Sequence, residues 1–401
     1  MEQTKENLCD LETPCFIFDV EELAKSVNGF SDALHSHFEK SIVGYSVKTN
    51  STPYCMVKAM EYGAYAEVVS YDEYELALMC GFPKEHIIYN GPMKSQDTFL
   101  DAVRNGGAIV NIETKRELQW LSLLDAKEKY SVGLRLNINI THISSEDADG
   151  DNDNSRFGFS DETNEFAEAI KVISQLPNVE LAGLHIHRTA HSRSIDFYKK
   201  SIEYACNVIN KYNLNLEYLD IGGGYFGIFP DKPTYQQYSD AFYEVLKQYR
   251  LDNLCIIVEP GNALVASCFS FLSEVIDVKN VEPDCWFITT DGSRNDIDPF
   301  FRKSGYMSEE IYMDENAPCV KKQIVSGCTC LEYDRMYVLE NRPRLSVGDR
   351  IVYHNVGSYT MCLTPMFIRY IPNIYALESG NYSLVREKWT AKEYIQKSKI
   401  K

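Results

Sequence analysis

No apolar run in this 401-residue chain approaches the length of a membrane-spanning helix or a signal core, and its start, Met1-Glu2-Gln3-Thr4-Lys5-Glu6, is polar. A cytoplasmic protein is expected, with no membrane partner. Basic charge is scarce: 40 Lys and Arg stand against 58 Asp and Glu, a formal net charge of -18, which argues against a nucleic-acid or anionic-membrane surface. The 12 cysteines, from Cys9 to Cys362, lack paired spacing, so reduced thiols are the default. Cys328-Thr329-Cys330 has neither the two intervening residues nor the second pair of a zinc knuckle. Internal repeats, low-complexity tracts and a G-x-G-x-x-G dinucleotide fingerprint are also missing.

What the chain does contain is alternation. Its composition, 44% hydrophobic and 24% charged, is that of a globular protein long enough for two domains. Between about residues 40 and 262, short apolar runs alternate with helical stretches such as Asp72 to Cys80 and Phe197 to Tyr212, the pattern of repeated βα units around a parallel sheet. Eight runs are predicted as strands: Ile42 to Lys48, Tyr65 to Ser70, Ile87 to Gly91, Ala108 to Glu113, Val132 to Asn139, Leu181 to His187, Leu216 to Gly222, and Cys255 to Gly261. Eight such strands fit a closed (β/α)8 TIM barrel over residues 25–262, in which functional groups gather at the strand C-terminal ends. After Gly261 the runs become strand-like without regular helices: Phe271 to Val278, Cys285 to Thr290, Lys322 to Val325 and Arg350 to Tyr353. Residues 263–401, joined by 1–24 through the apolar run Pro14 to Asp19, are expected to form a second, mainly β domain.

The acidic stretch Ser144 to Ser155 spaces Asp147, Asp149, Asp151 and Asp153 as calcium ligands are spaced. Asn152 stands where an EF-hand loop requires Gly, however, and Gly158 stands in place of its Glu, so a solvated loop is expected.

Several groups fall at or near the predicted strand ends. Lys48 would sit at the end of a buried strand, where burial favours the neutral amine, the form that attacks an aldehyde. Leu219-Asp220-Ile221-Gly222-Gly223-Gly224 is a strand running into three glycines, whose backbone can approach a phosphate and aim N–H groups at it. Glu259 closes the last strand before Pro260-Gly261, and a carboxylate there can stabilise a protonated ring nitrogen. His185 and His187 share a strand face by period two, but no third metal ligand stands at a convincing spacing, so no metal is expected. An amine, a flat ring partner, a phosphate cradle and a carboxylate are together the demands of pyridoxal 5'-phosphate.

As an ordered set, from Pro14 to about Pro372, these residues resemble the fold-type III pyridoxal-phosphate decarboxylases. These include ornithine, diaminopimelate and carboxynorspermidine decarboxylases and relatives from siderophore and antibiotic pathways, built on an alanine-racemase-like barrel with a β domain. The resemblance implies that Lys48 carries the cofactor, that Glu67, with Glu73 nearby, lies under its ring, and that His187 stacks on the ring. It likewise implies that Gly222, Gly223 and Gly224 bind the phosphate and that Glu259 meets the pyridine nitrogen. Arg156-Phe157-Gly158 resembles the family's Lys-Phe-Gly segment. In the β domain, Gly327-Cys328-Thr329-Cys330-Leu331-Glu332-Tyr333-Asp334 resembles its cysteine motif, so Cys330 would protonate the carbanion in the neighbouring subunit's site. Gly357-Ser358-Tyr359-Thr360 would bring Tyr359 near the phosphate. A homodimer with shared active sites is implied.

Departures from the family pattern bear on the phosphate and on the substrate. Asn262 replaces the arginine that usually follows Glu-Pro-Gly, and Ala190 occupies the region of a usual serine, so Arg188, Ser192 or Arg193 is expected to compensate. Leu331 replaces the acid that grips a diamine's far ammonium, which suits a conjugated or carrier-bound amino acid. Glu332 or Asp334 would still allow a free diamino acid such as ornithine, lysine or diaminopimelate. An amino-acid racemase and a non-catalytic regulatory homologue are the other readings.

Overall fold

The computed structural model describes residues 8–104, 108–148, 155–188, 190–227, 229–314 and 316–399. They divide into two units, one of Leu23–Leu264 and one of Met1–Glu22 with Val265–Lys401. Asp149, Asp151 and Asp153 of the acidic stretch, and Thr189, lie outside the described residues. No helix among the described residues is long and apolar enough to cross a membrane.

In chain order the strands begin with β1 (Cys15–Asp19), β2 (Ser41–Ser46), β3 (Tyr65–Ser70), β4 (Ile87–Met93), β5 (Ile109–Ile112) and β6 (Tyr130–Asn137). Next come β7 (Phe159–Ser160), β8 (Val179–His185), β9 (Tyr218–Asp220) and β10 (Cys255–Val258). The remainder are β11 (Phe269–Glu282), β12 (Cys285–Thr290), β13 (Met307–Ile311), β14 (Cys319–Ser326), β15 (Arg335–Pro343), β16 (Arg350–His354), β17 (Asn373–Glu378) and β18 (Asn381–Arg386).

In the first unit, β2 to β6 and β8 to β10 pair in parallel in the order β5-β4-β3-β2-β10-β9-β8-β6. A further β5–β6 pairing, Asn111 with Gly133 and Ile112 with Leu134, closes the ring into an eight-stranded barrel. The strands are short apolar runs because both faces are covered: Ile256, Ile257 and Val258 of β10 are all buried. Helices follow where polar caps permit them. Ser70 accepts from the Glu73 N–H, Thr114 from Glu117, and Ser194 from Phe197, while Thr234 and Gln237 form a reciprocal capping box. The barrel interior is filled near its lower end by Tyr218, packed with Ile88, Ala182 and Ile257. A Cβ at Gly133 or Gly183 would overlap the Tyr218 side chain, so glycine at both is what admits the ring.

Strand ends differ from the sequence expectation where polar groups turn the chain. β2 stops at Ser46, and Lys48 sits on a single 3-10 turn, Val47–Thr49. His187 lies two residues beyond β8 and Glu259 one beyond β10.

The second unit is a mostly antiparallel sheet in the order β15-β14-β12-β11-β1-β17-β18, with β16 on β11 and β13 on β16. The long β11 pairs through its first half with β1 and β16, and through its second half with β12. Gly348, at φ 94°, makes the turn into β16 that only glycine takes easily. The strands missed from sequence, β13, β15, β17 and β18, lack a clean apolar alternation: β13 and β15 carry Glu309 and Glu340 at exposed positions, and β18 has no fully buried residue.

Candidate active site

Lys48 is raised on its turn beside the end of β3. Its Nζ donates to Ser46 Oγ at 2.7 Å and to Glu67 Oε2 at 2.5 Å, while Ser46 Oγ donates to the same carboxylate oxygen at 2.6 Å. The side chain is 32% exposed against 1% for Glu67, so the expected buried, neutral amine is instead an ion-paired group at a cavity wall. Glu73 locks the adjoining turn, accepting from the Val69 N–H at 2.8 Å, and burial pushes its carboxyl up. Asn90, in the middle of β4, joins the two halves of the site. One amide nitrogen donates to Glu67 Oε1 at 3.2 Å and to Glu259 Oε1, and its carbonyl accepts from Asn111 at 2.9 Å. Lys48 and Glu259 thus belong to one hydrogen-bonded chain, Lys48–Glu67–Asn90–Glu259.

Glu259 is buried with Asp220, and two carboxyls in contact cannot both ionise cheaply. Burial, and then the charge of Glu259, push Asp220 well above the ordinary carboxylate range, so Asp220 holds the proton. Asp220 also accepts from the Gly222 N–H at 3.0 Å and from Asn111 at 3.2 Å. Burial pushes Glu259 upward too, but His185 and then His187 outweigh it and hold Glu259 well below its usual range. Burial drives His185 itself toward the neutral ring, so its support at 3.6 Å is that of a dipole and not a full cation. Neither His185 nitrogen has a hydrogen-bond partner among the described residues. Tertiary folding also supplies the third neighbour that period-two spacing lacks: ligand-type atoms of His185, His187 and Glu259 all lie within 4.8 Å of one another.

The glycine loop is shaped by these same groups. Gly222 and Gly224 have φ of 76° and 96°, and a Cβ at Gly222 would stand 2.6 Å from His187 Nδ1. The Gly222 N–H is spent on Asp220, and the Gly223 N–H donates to His187 Nδ1 at 3.0 Å. His187 Nδ1 thus faces both the Gly223 N–H and, at 3.5 Å, Glu259 Oε2. Of the three glycine N–H groups, only that of Gly224 has no partner among the described residues.

Lys48, Glu67, Asn90, Arg135, His187 and Glu259 line a cavity of about 460 Å³, and the three loop glycines are not among its lining residues. Its size suits a cofactor with a small substrate. Arg135 is paired with Glu113 at 2.7 Å and shares the Phe157 ring with Arg156, the two guanidinium carbons lying 4.7 and 4.3 Å from its centroid. A larger cavity, about 560 Å³, opens among the starts of the strands around Lys40, Glu217 and Cys255, away from every one of these groups. The chemistry therefore belongs to the smaller cavity. An amine, an ionised carboxylate beneath a histidine, and a free glycine N–H fit pyridoxal phosphate in donor type and in order.

In the other unit Cys330 is exposed, Leu331 half-buried and Glu332 exposed. Asp334 is buried and accepts from Ser293 Oγ at 3.0 Å, the Arg294 N–H at 2.8 Å, the Thr329 N–H at 3.2 Å and Thr329 Oγ1 at 2.6 Å. Its carboxylate leaves no room for a Cβ at Gly327 and shapes the loop that presents Cys330. Tyr359 is exposed and adopts φ 54°, a conformation uncommon for a tyrosine. Of the residues proposed to replace the absent arginine, Ser192 is tied to Asp147 through both its N–H and its hydroxyl, and Arg193 stacks on Phe226.

Sequence reasoning missed Asn90, Asn111, Arg135 and Asp220. Their common signal is a polar side chain inside an otherwise apolar barrel strand or at its end, which requires partners across the barrel.

The family model described as "Pyridoxal-dependent decarboxylase, pyridoxal binding domain" matches residues 23–266. The probable chloroplastic diaminopimelate decarboxylase of Oryza sativa is 25% identical over 396 residues, covering 96% of this chain and 79% of the rice protein. The L-glutamyl-[BtrI acyl-carrier protein] decarboxylase of Niallia circulans is 25% identical over 406 residues, 96% of this chain and 93% of that one. The crystal structure of diaminopimelate decarboxylase from M. jannaschii superposes with a TM-score of 0.84 at 21% identity, covering 99% of this chain and 94% of that one.

Proposed function

The chain belongs to the pyridoxal-dependent decarboxylases, and from that premise we propose that it removes the α-carboxylate of an amino acid whose distal end is not a bare ammonium, such as an amino-acid conjugate. Pyridoxal phosphate, the family's cofactor, supplies an electron sink for the charge left at the α-carbon. Lys48 would hold its aldehyde end, Glu259 would face its ring nitrogen and His187 its ring, and the glycine loop would hold its phosphate. Because Asp220 carries the proton of the buried pair, Glu259 stays ionised and favours a protonated ring nitrogen. Glu67 and Ser46 orient the Lys48 amine. Cys330 supplies the proton that replaces the carboxylate, acting from a second copy of the chain in a homodimer.

The observation that carries the substrate reading is the cysteine loop. Leu331 is apolar, and Asp334, which would otherwise grip an ammonium, is buried with both oxygens accepting from its own unit. The relative named as a glutamyl carrier-protein decarboxylase supports the same reading. Carbon dioxide release measured over ornithine, lysine, arginine, diaminopimelate and their acylated conjugates tests it. Preference for a free diamino acid would sink it in favour of the second reading, which the exposed Glu332 and the diaminopimelate decarboxylase relatives favour. Mixing inactive Lys48→Ala and Cys330→Ala proteins tests the shared site: recovered activity is expected, and none after subunit exchange would refute it. All 12 cysteines are free, which supports a cytoplasmic setting.

A further inference from the structure

The phosphate loop of this chain is short of donors and of charge. Gly222 and Gly223 spend their N–H groups inside the barrel, and residue 262 is an uncharged asparagine where the family pattern has arginine. Just past the loop, however, two cations share one ring: the Arg193 guanidinium carbon lies 5.2 Å and the Lys232 ammonium 4.9 Å from the centroid of Phe226. Neither has a carboxylate partner among the described residues.

The arrangement is built, not incidental. Arg193 takes φ 48°, an unfavourable left-handed conformation for arginine, and its carbonyl is held there by the Tyr238 hydroxyl at 2.7 Å. The same hydroxyl accepts from the Phe226 N–H at 3.4 Å, and Tyr198 donates to the Gly223 carbonyl at 2.9 Å. Two buried tyrosines therefore tie the Arg193 segment, the Phe226 ring and the glycine loop into one body. Stacking a guanidinium on a ring leaves its N–H edge free to fork toward an oxyanion. Of the other cations, Arg135 is paired with Glu113, while Arg156 stacks on Phe157 at the cavity wall.

We infer that Arg193 and Lys232, seated on Phe226, form a cationic clamp for the cofactor's phosphate and replace the arginine absent at position 262. The inference rests on the cofactor placement proposed above.

The test compares equilibrium uptake of pyridoxal phosphate with that of pyridoxal, which lacks the phosphate, by following visible absorbance of the apoprotein without substrate. Arg193→Ala and Lys232→Ala are each expected to weaken pyridoxal phosphate by on the order of tenfold, less at high salt, and to leave pyridoxal within about twofold. Arg193→Lys should recover part of the loss. Unchanged pyridoxal phosphate affinity in the double variant refutes the clamp, and so does an equal loss for both ligands, which would mark a role in loop structure only. If the double variant holds pyridoxal phosphate normally but loses a phosphate-bearing substrate, the cations serve the substrate and the clamp is wrong. Wild-type protein that takes up neither ligand would overturn the cofactor placement itself.

Discussion

Replacing Asn90 by alanine removes a side chain that touches both Glu67 and Glu259. Its amide donates to Glu67 and Glu259, and its carbonyl accepts from Asn111. Hydrogen bonds to charged groups contribute roughly 1.5–3 kcal/mol each, and leaving a buried Asn111 donor unmet costs about 1 kcal/mol more. Because the three bonds share one side chain and the cavity can admit water, the expected loss is about 4 kcal/mol and not their simple sum. The pH dependence is diagnostic. Glu259 is depressed in the folded protein, so its contribution is present above the unfolded glutamate pKa, near 4.3 (about one unit's spread), and is lost as pH falls through the folded value. Removing a donor to that carboxylate should weaken the depression, so the gap between wild type and variant should be widest at pH 7 and narrow toward acid. Urea unfolding of the apoprotein, followed by the fluorescence of Trp120 in the barrel unit and by circular dichroism, measures both effects. A loss below about 1 kcal/mol at pH 7, or a gap that does not narrow as the pH falls below about 4, would refute the idea that Asn90 sustains the buried charges.

Lys48→Ala should abolish visible cofactor absorbance and turnover together; retained colour would remove Lys48 from its assigned place. Asp220→Asn cannot titrate. The raised carboxyl of Asp220 stabilises the fold fully below its unfolded pKa, near 3.9 by the usual value, and that stability is lost as pH rises through the folded pKa. The stability of the asparagine variant relative to wild type should therefore improve as pH rises from about 4, and a difference constant with pH in urea titrations would count against protonation of Asp220. Asp334→Ala removes four hydrogen bonds from the cysteine loop and should destabilise the β unit by about 2–4 kcal/mol while changing the thiol-modification rate of Cys330 several-fold. An unaltered rate would show that Asp334 does not shape that loop.

Much of the barrel was legible because each strand is a short apolar run and each helix repeats at its own period. The ends of those runs located Lys48, His187, the glycines and Glu259 before any coordinate. Less legible were the strands of the β unit, where alternation is interrupted by charge, as in β13 and β15, and where partners come from distant sequence, such as β1 beside β17. The protonation pattern was not legible either. Glu259 and Asp220 each looked like an ordinary carboxylate, and only their burial against each other decides which holds the proton.

The sequence alone determined the order of chemical groups along the chain, since the identity of an amine, an imidazole, a carboxylate and a glycine run is local. It also determined the alternating pattern that forces a parallel barrel. Only tertiary structure decided how these groups meet: Asn90 bridging two carboxylates, His187 consuming a glycine N–H, Glu67 pairing Lys48, and two cations resting on Phe226. Hydrogen bonds and ion pairs act over a few ångströms, and barrel closure brings together residues far apart in the chain, such as Asn90 and Glu259, 169 positions apart.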